Sequence, residues 1–430
     1  MSPRGRDQVF PAAVGALLIA TSLLPACGGG SDASSGAPPV TTTVPPSVST
    51  APPAVLQAKE ADIPVDPTIV TADNTFGLNL LNTLVAGNAG QNTAISPISV
   101  AMTLQILYNG AAGPTQTTMA QTLQLGDLSV SQLNSDNAAL LGALLDPDPQ
   151  VNLTIANSLW VPLSTNTVSP TFTSTDQTYY GAQIGDVAGA PANVNAWVSA
   201  QTNGLITELL PPGNYDTVLA NTVYFKGQWT TQFSPSQTIS AAFTLADGTQ
   251  IAVPTMQQSN SFPYLQGANF QAVSLPYGSG RLSMLIVLPD TGVDPSALVA
   301  TITPPTLDSW VAQMTMSATI NLSLPRFTAT FATNLIPALT TLGMGDAFIA
   351  DENGFPGIYP NFYVNVAEHK TYVQVDESGT VAAAATGVGT TSVMRLSVNL
   401  QINHPFFYAI RDNQTGELLF VGVLMDPSAG

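Results

Sequence analysis

The sequence predicts an α+β domain with a mostly antiparallel sheet, on three observations. Helical periods dominate the early part of the body, and strand-like runs dominate the later part. One continuous texture runs from about residue 74 to residue 427, without an internal repeat or a second Pro/Ser/Thr-rich break. Phe76, Leu80, Leu81 and Leu84 share one helical face, and residues 99–108 (SVAMTLQILY) are apolar enough for a buried helix. Residues 195–210 place Trp197, Val198, Leu205, Ile206 and Leu209 at helical spacing, closed by Pro211-Pro212. Strands are predicted over 219–225, 270–275, 282–288, 318–324, 371–375, 398–402 and 418–423.

The N-terminus reads as an export signal. Arg4 and Arg6 open it, and an apolar run of 15 residues follows over 10–24. That length is short for a membrane span and right for a secretory signal. Leu24, Pro25, Ala26 and Cys27 then resemble the lipobox of bacterial lipoproteins, in which the cysteine is lipidated and becomes the first mature residue. Pro25 departs from the small residue usual there. Cys27 is the one cysteine of the chain, so it falls where lipidation needs it and has no disulfide partner. An ordinary signal peptide or a short membrane anchor, with a chance cysteine, is the alternative.

The expected organisation is a signal peptide over 1–26, a lipidated Cys27 with its tether over 27–70, and a globular domain over 71–430. Residues 28–55 hold Gly, Ser, Thr, Pro, Ala and Val with one charge, Asp32, a set that builds no core. A coil of roughly 40 residues spans about 30–40 Å and would hold the body clear of a membrane. The protein is expected to be exported and either anchored to a bacterial cell envelope or extracellular. It would meet the membrane through the lipid on Cys27 only.

Composition removes several function classes. Nine Lys+Arg against 27 Asp+Glu give a formal charge of −18, so no basic stripe for nucleic acid or sulfated polysaccharide can be built. His369, His404 and one cysteine are too few for a zinc site, and no metal or other cofactor is expected. No G-x-S-x-G elbow, Walker loop, dinucleotide fingerprint or H-E-x-x-H occurs. Lys59, Lys226 and Lys370 each lack a serine three positions earlier. No catalytic residue is assigned, and the chain does not read as an enzyme. His404, in an apolar aromatic region, reads as a buried packing histidine.

The segment after 371–375 is the least ordinary. From Glu377 it runs Ser378-Gly379-Thr380-Val381-Ala382-Ala383-Ala384-Ala385-Thr386-Gly387, with nothing larger than valine before Met394. Alone, this is a small-residue loop or a flexible linker. Its small, uncharged side chains would also let it lie flat between two strands. Alternation puts Thr380, Ala382, Ala384 and Thr386 on one face.

At these residues the chain resembles the serpin family. The resemblance covers about residues 74–427. It includes Ser96-Pro97-Ile98-Ser99-Val100, Gly110-Ala111-Ala112-Gly113-Pro114-Thr115 and Asn195-Ala196-Trp197-Val198. Asn221-Thr222-Val223-Tyr224-Phe225-Lys226-Gly227-Gln228-Trp229, Leu275-Pro276-Tyr277 and Leu324-Pro325-Arg326-Phe327 follow in the family's order. Leu342-Gly343-Met344, His369-Lys370, His404-Pro405-Phe406, Ile410-Arg411-Asp412 and Leu419-Phe420-Val421-Gly422 complete it.

The resemblance implies three β-sheets, eight or nine helices and an exposed reactive loop at about 377–397. It implies a monomeric suicide inhibitor whose partner is a serine, or a cysteine, protease. In the family the cleaved loop inserts into the main sheet and traps the acyl-enzyme, relieving strain stored in the native fold. Carried over, Glu377, Gly379, Thr380, Ala382, Ala384 and Thr386 form the hinge. Val381 stands where the family usually has glutamate, on the outward face. Ser96, Ser99, Asn221 and His369 match a polar cluster where the sheet parts, although His369 also reads as a satisfied core histidine. Trp229 and Arg326 match the top of the sheet, Arg326 as the partner of Glu377. For Trp229, ordinary aromatic packing is the alternative. Seventeen positions counted from Glu377 put the reactive bond between Val393 and Met394, with bonds after Met394 and Arg395 as neighbouring registers. The small side chain of Val393 suits elastase- or subtilisin-like targets. A non-inhibitory serpin-fold binding protein and a tethered solute-binding lipoprotein are the alternative functions.

Overall fold

The most apolar stretch of the body, PISVAMTLQILY, forms a helix whose residues are all buried. An amphipathic stripe would be out of place there, because this helix has neighbours on every side. The structure, a computed structural model, describes residues 64–145, 147–316, 318–379 and 396–429. The expected signal peptide, Cys27 and nearly all of the expected tether lie outside the described residues. So do Thr380, Ala382, Ala384, Thr386, Val393 and Met394.

In chain order the first elements are α1 (Pro67–Gly87), β1 (Thr93–Ile95), α2 (Pro97–Tyr108), α3 (Gly113–Thr122), α4 (Val130–Leu144) and β2 (Val151–Val161). Then come α5 (Pro170–Tyr180), β3 (Gln183–Asp186), α6 (Ala192–Gln201) and β4 (Val218–Gly227). They are followed by β5 (Ile239–Thr244), β6 (Gln250–Asn260), β7 (Tyr264–Gln266), β8 (Phe270–Tyr277) and β9 (Leu282–Pro289). Next are α7 (Pro295–Val299), α8 (Pro304–Gln313), β10 (Ala318–Pro325), β11 (Phe327–Asn334) and α9 (Ile336–Thr341). The chain closes with β12 (Val366–Val375), β13 (Leu396–Gln401), β14 (Phe406–Asp412) and β15 (Leu418–Leu424). Asp66, Ser129, Ser169, Asp294 and Thr303 cap the helices that follow them, accepting backbone N–H bonds that would otherwise be orphaned.

Three sheets result. One has the order β1-β15-β14-β9-β8-β7, the second β13-β10-β6-β5, and the third β11-β12-β4-β2-β3. α2 packs on β15 on one side and on β2 and β4 on the other, so it fills the space between the first and third sheets. On its opposite face the third sheet carries α6. There Trp160, Val194, Trp197, Val198, Val218 and Ala220 form a separate apolar cluster. Most neighbouring strands are antiparallel, while β2 with β3, β4 with β12 and β10 with β13 run parallel.

Two expectations change. Strands β1, β2 and β3 interleave with the early helices, and β2 (VNLTIANSLWV) lacks the continuous apolar run that marks the later strands because polar residues break it. The helix expected over 195–210 stops at Gln201. Asn203 and Gly204 adopt φ of 50° and 78°, which turns the chain back. The Asn195 Oδ1 then accepts the N–H groups of Leu209 and Leu210 at 2.8 Å, bonds that side chain makes in place of a continued helix. Ile206 and Leu209 are buried by this return, and Leu205 is 41% exposed.

Candidate functional site

The seam between the parallel strands β4 and β12 is the unusual part of the third sheet. Their ladder runs from Val366 opposite Val218 to Lys370 opposite Thr222 and extends no further. Above it, residues 371–375 pair outward with β11, and residues 223–227 pair outward with β2. The upper halves of β4 and β12 do not pair with each other.

Beneath the paired half lies a buried polar cluster. His369 is fully buried. Its Nε2 accepts the Ser96 N–H at 3.3 Å, and its Nδ1 lies 3.2 Å from the Asn221 Oδ1. That arrangement suits a neutral ring protonated on Nδ1. Burial pushes its pKa down to about 3. The Asn221 Nδ2 is 2.8 Å from the Ser99 carbonyl, 2.8 Å from the Thr103 Oγ1 and 2.7 Å from the Asn157 Oδ1. Ser96, Ser99, Asn221 and His369 are therefore brought together. The two serines take part through their backbone, however, and their buried hydroxyls have no hydrogen-bond partner among the described residues. Thr103 and Asn157 complete the cluster and were not expected. Thr103 follows Ser99 by one helical turn, and Asn157 is an amide inside a buried strand.

At the open end of the seam, the base of the small-residue segment is docked. Gly379 makes antiparallel bridges to Gln228, just past β4, and to Asp376, just past β12. The Trp229 N–H donates to the Ser378 carbonyl at 2.9 Å, and the Phe233 N–H donates to the Glu377 carbonyl at 2.9 Å. Gly379 has φ of +135° and lies so close to the Gly227–Trp229 backbone that a Cβ would collide with it. The Trp229 ring stacks on Tyr277 at 4.4 Å, while its Nε1 donates to the Asp376 carbonyl at 2.9 Å.

Arg326 closes the same corner. Its Nε donates to the Glu377 Oε1 at 2.8 Å, its Nη2 joins in an ion pair, and the Thr238 hydroxyl donates to the same oxygen. Burial alone would raise the Glu377 pKa, but the bonds from Arg326 and Thr238 hold it below the usual carboxyl range. Glu377, Gly379, Trp229 and Arg326 thus meet at one point, with Thr238 as a partner the sequence did not indicate. His404 lies away from the seam and is half-buried, not fully buried as expected. Its ring nitrogens lie 2.7 Å from the Pro289 carbonyl and 2.9 Å from the Asn403 Oδ1, which hold the ring at the surface of the packing.

Among the described residues no group of His, Cys, Asp and Glu is placed to hold a metal ion. No described helix is long and apolar enough to cross a membrane. What the arrangement offers is a sheet closed over half its seam, with the turn over 376–379 docked at the other half.

The family model for serpins (serine protease inhibitors) matches residues 71–427. Human neuroserpin is 30% identical over 372 residues, covering 82% of this chain and 90% of that protein. Human leukocyte elastase inhibitor is 31% identical over 378 residues, covering 83% of this chain and 99% of that protein. The native-state structure of the thermophilic serpin tengpin superposes with a TM-score of 0.78 at 27% identity, over 85% of this chain and 96% of that one. With this match along the whole body and the three sheets in place, the chain belongs to the serpin family.

Proposed function

We propose that this chain is an inhibitory serpin that traps an elastase- or subtilisin-like serine protease by inserting its cleaved loop between β4 and β12. The observation that carries the reading is a matter of register. Extending the two bridges at Gly379 would put Thr380 opposite Gly227 and Val375, and Ala382 opposite Phe225 and Val373. Ala384 would then meet Val223 and Thr371, and Thr386 would meet Asn221 and His369. His369 and Asn221 already face each other in the existing ladder, and the other pairs stand in the same register above them. Insertion would need the two strands to separate sideways, with no sliding of one past the other. The inward-facing residues would be threonine and alanine, which fill the slot without burying charge.

In this reading the protease serine attacks the Val393 carbonyl carbon. The bond from Val393 to the Met394 nitrogen breaks, the protease's general acid protonates the departing amine, and Val393 remains as the acyl ester. Insertion must then outrun hydrolysis of that ester. A small aliphatic side chain suits a shallow apolar pocket, and it would leave the carboxylate of a trypsin pocket unpaired. A lipid on Cys27 and the tether after it would present the inhibitor at a bacterial envelope surface.

Incubation with a protease panel tests this. An elastase-like enzyme should form a complex stable on a denaturing gel, and mass spectrometry should find a released peptide beginning at Met394. A peptide beginning at Leu396, with trypsin trapped, would overturn the register and the target class. Cleavage without any stable complex would instead favour a non-inhibitory serpin-fold binding protein. The anchor has its own check. A labelled fatty acid should enter the wild type and not Cys27→Ser.

A further inference from the structure

Away from the seam, the helical layer buries acids that face almost no positive charge. Asp73 in α1 and Glu417 in the turn before β15 are both fully buried. Asn74 links their surroundings, since its Nδ2 donates to the Gly416 carbonyl at 3.0 Å and its Oδ1 accepts the Leu418 N–H at 2.9 Å. The Gln105 Nε2, from α2, donates to the Asp73 Oδ1 at 2.7 Å. Among the described residues the Asp73 Oδ2, the Gln105 Oε1 and both Glu417 oxygens are buried with no donor in hydrogen-bond geometry; the Leu418 N–H beside Glu417 is taken by Asn74. Two carboxylates in that setting would leave every one of those acceptors unsatisfied, whereas two carboxylic acids bring their own donors.

The elements packed around the pair supply little compensation. Arg411 is the cation that favours ionised Glu417; its Nη2 is bound to Asp308 of α8 at 2.7 Å, while its buried Nε has no hydrogen-bond partner among the described residues and is not donated to Glu417. Arg281, at the start of β9, is committed to Asp412 at 3.1 Å and to the Ala143 carbonyl. α5 contributes Tyr180 and another buried acid, Asp176, bonded to Asn109. α4 contributes Asp136, bound by Gln132. Burial pushes Asp73 up to about 8 and carries Glu417 well above the ordinary carboxyl range, helped by the charges of Asp73 and Asp412.

We infer that Asp73 and Glu417 are held as neutral carboxylic acids, and that this pair is a proton-dependent latch between α1 and the β14–β15 hairpin. Carboxyls of the unfolded chain ionise near pH 4, whereas Asp73 ionises only near 8 and burial keeps Glu417 protonated well above the ordinary carboxyl range. Over that range the folded pair binds more protons than the unfolded one, so its own contribution to stability is greatest in acid and falls as pH rises. The latch does not depend on the inhibitory reading.

Thermal midpoints from pH 7.5 to 9 test it, a window above the ordinary histidine range in which His369 is neutral in both states. The wild-type midpoint should fall by about 2–4 °C per pH unit. Glu417→Gln and Asp73→Asn should each flatten that slope and raise the midpoint at pH 9. Parallel curves for wild type and Glu417→Gln would overturn the latch. So would calcium or sodium raising the wild-type midpoint at pH 8 but not that of Glu417→Gln, because the oxygens would then hold a cation. A direct readout covers variants that fail to fold. The infrared carbonyl band of protonated carboxyl should be present in the wild type at neutral pH, and its absence would also overturn the latch.

Discussion

The two halves of the seam between β4 and β12 are held by different means. The lower half has a backbone ladder, the His369–Asn221 cluster beneath it and the apolar cluster of α6 over it. The upper half has no ladder between its strands, and a turn caps its mouth through Trp229, Arg326 and Glu377. Opening the lower half must break several fully buried hydrogen bonds together, while the mouth is held by one turn, its hydrogen bonds to Trp229, Phe233 and Thr238, and one half-exposed ion pair. Under the proposed mechanism, the difference puts the resistance to insertion in the lower half. A segment entering from the mouth would meet little resistance until Thr386 reached the row of His369 and Asn221.

The largest expected effect comes from blocking the slot before that row. Thr380 would be the first inward-facing residue to enter, so Thr380→Arg would bury a charge at a cost of several kcal/mol. The variant should fold normally and be cleaved as a plain substrate, with complex formation on a denaturing gel lost. If it still traps protease one to one, the loop does not enter between these strands.

Nicking the loop should come next in size. Insertion would add a central strand and rebuild the missing ladder, so the nicked protein should melt on the order of 10 °C or more above the intact one. A nick in an ordinary surface loop leaves the midpoint unchanged or lower. Equal midpoints would mean that the open upper half is not a vacancy for this segment.

The lower half should show itself through acid. The pKa of His369 falls from 6.5 to about 3 on folding, so its contribution is complete above about pH 6.5 and is lost as pH drops toward 3. Within that window the loss approaches roughly 1.4 kcal/mol per pH unit. Intact protein should therefore convert to its loop-inserted or aggregated form faster at pH 4.5 than at pH 7, and His369→Gln should remove most of that dependence. A wild-type conversion rate that is flat over this range would detach the cluster from the opening step.

How much of this was legible in the sequence depends on the range of the interaction. The α2 run and the small-residue hinge could be read directly, because apolar content and side-chain size are local properties. The contact of His369 with Asn221 spans 148 positions and was reachable only through the family resemblance. Asn157 and Thr103 were missed because a polar residue in an apolar element has the same local pattern whether it faces a partner or packs alone. The division of the seam left no trace either. Burial alternates evenly along the whole of β12, through paired and unpaired halves alike. The overrun of the helix past Gln201 had a related cause. Leu205, Ile206 and Leu209 keep helical spacing, while the turn at Asn203 and Gly204 sends two of them into the same cluster by another route.

The smallest expected effect sharpens the comparison from the mouth. The Arg326 side chain is 43% exposed, so its pair with Glu377 should contribute only about 0–1 kcal/mol after solvent screening. Arg326→Gln should lower stability by that amount at neutral pH. The loss should shrink as pH falls through the carboxyl range, because protonated Glu377 no longer needs the cation. It should shrink in high salt as well. Complex formation should speed up by no more than about fivefold, the factor that corresponds to about 1 kcal/mol. Urea unfolding and association kinetics measure both numbers. A stability loss above about 3 kcal/mol, or an acceleration of a hundredfold, would place the main resistance at the mouth. The lower half would then be the part that merely follows.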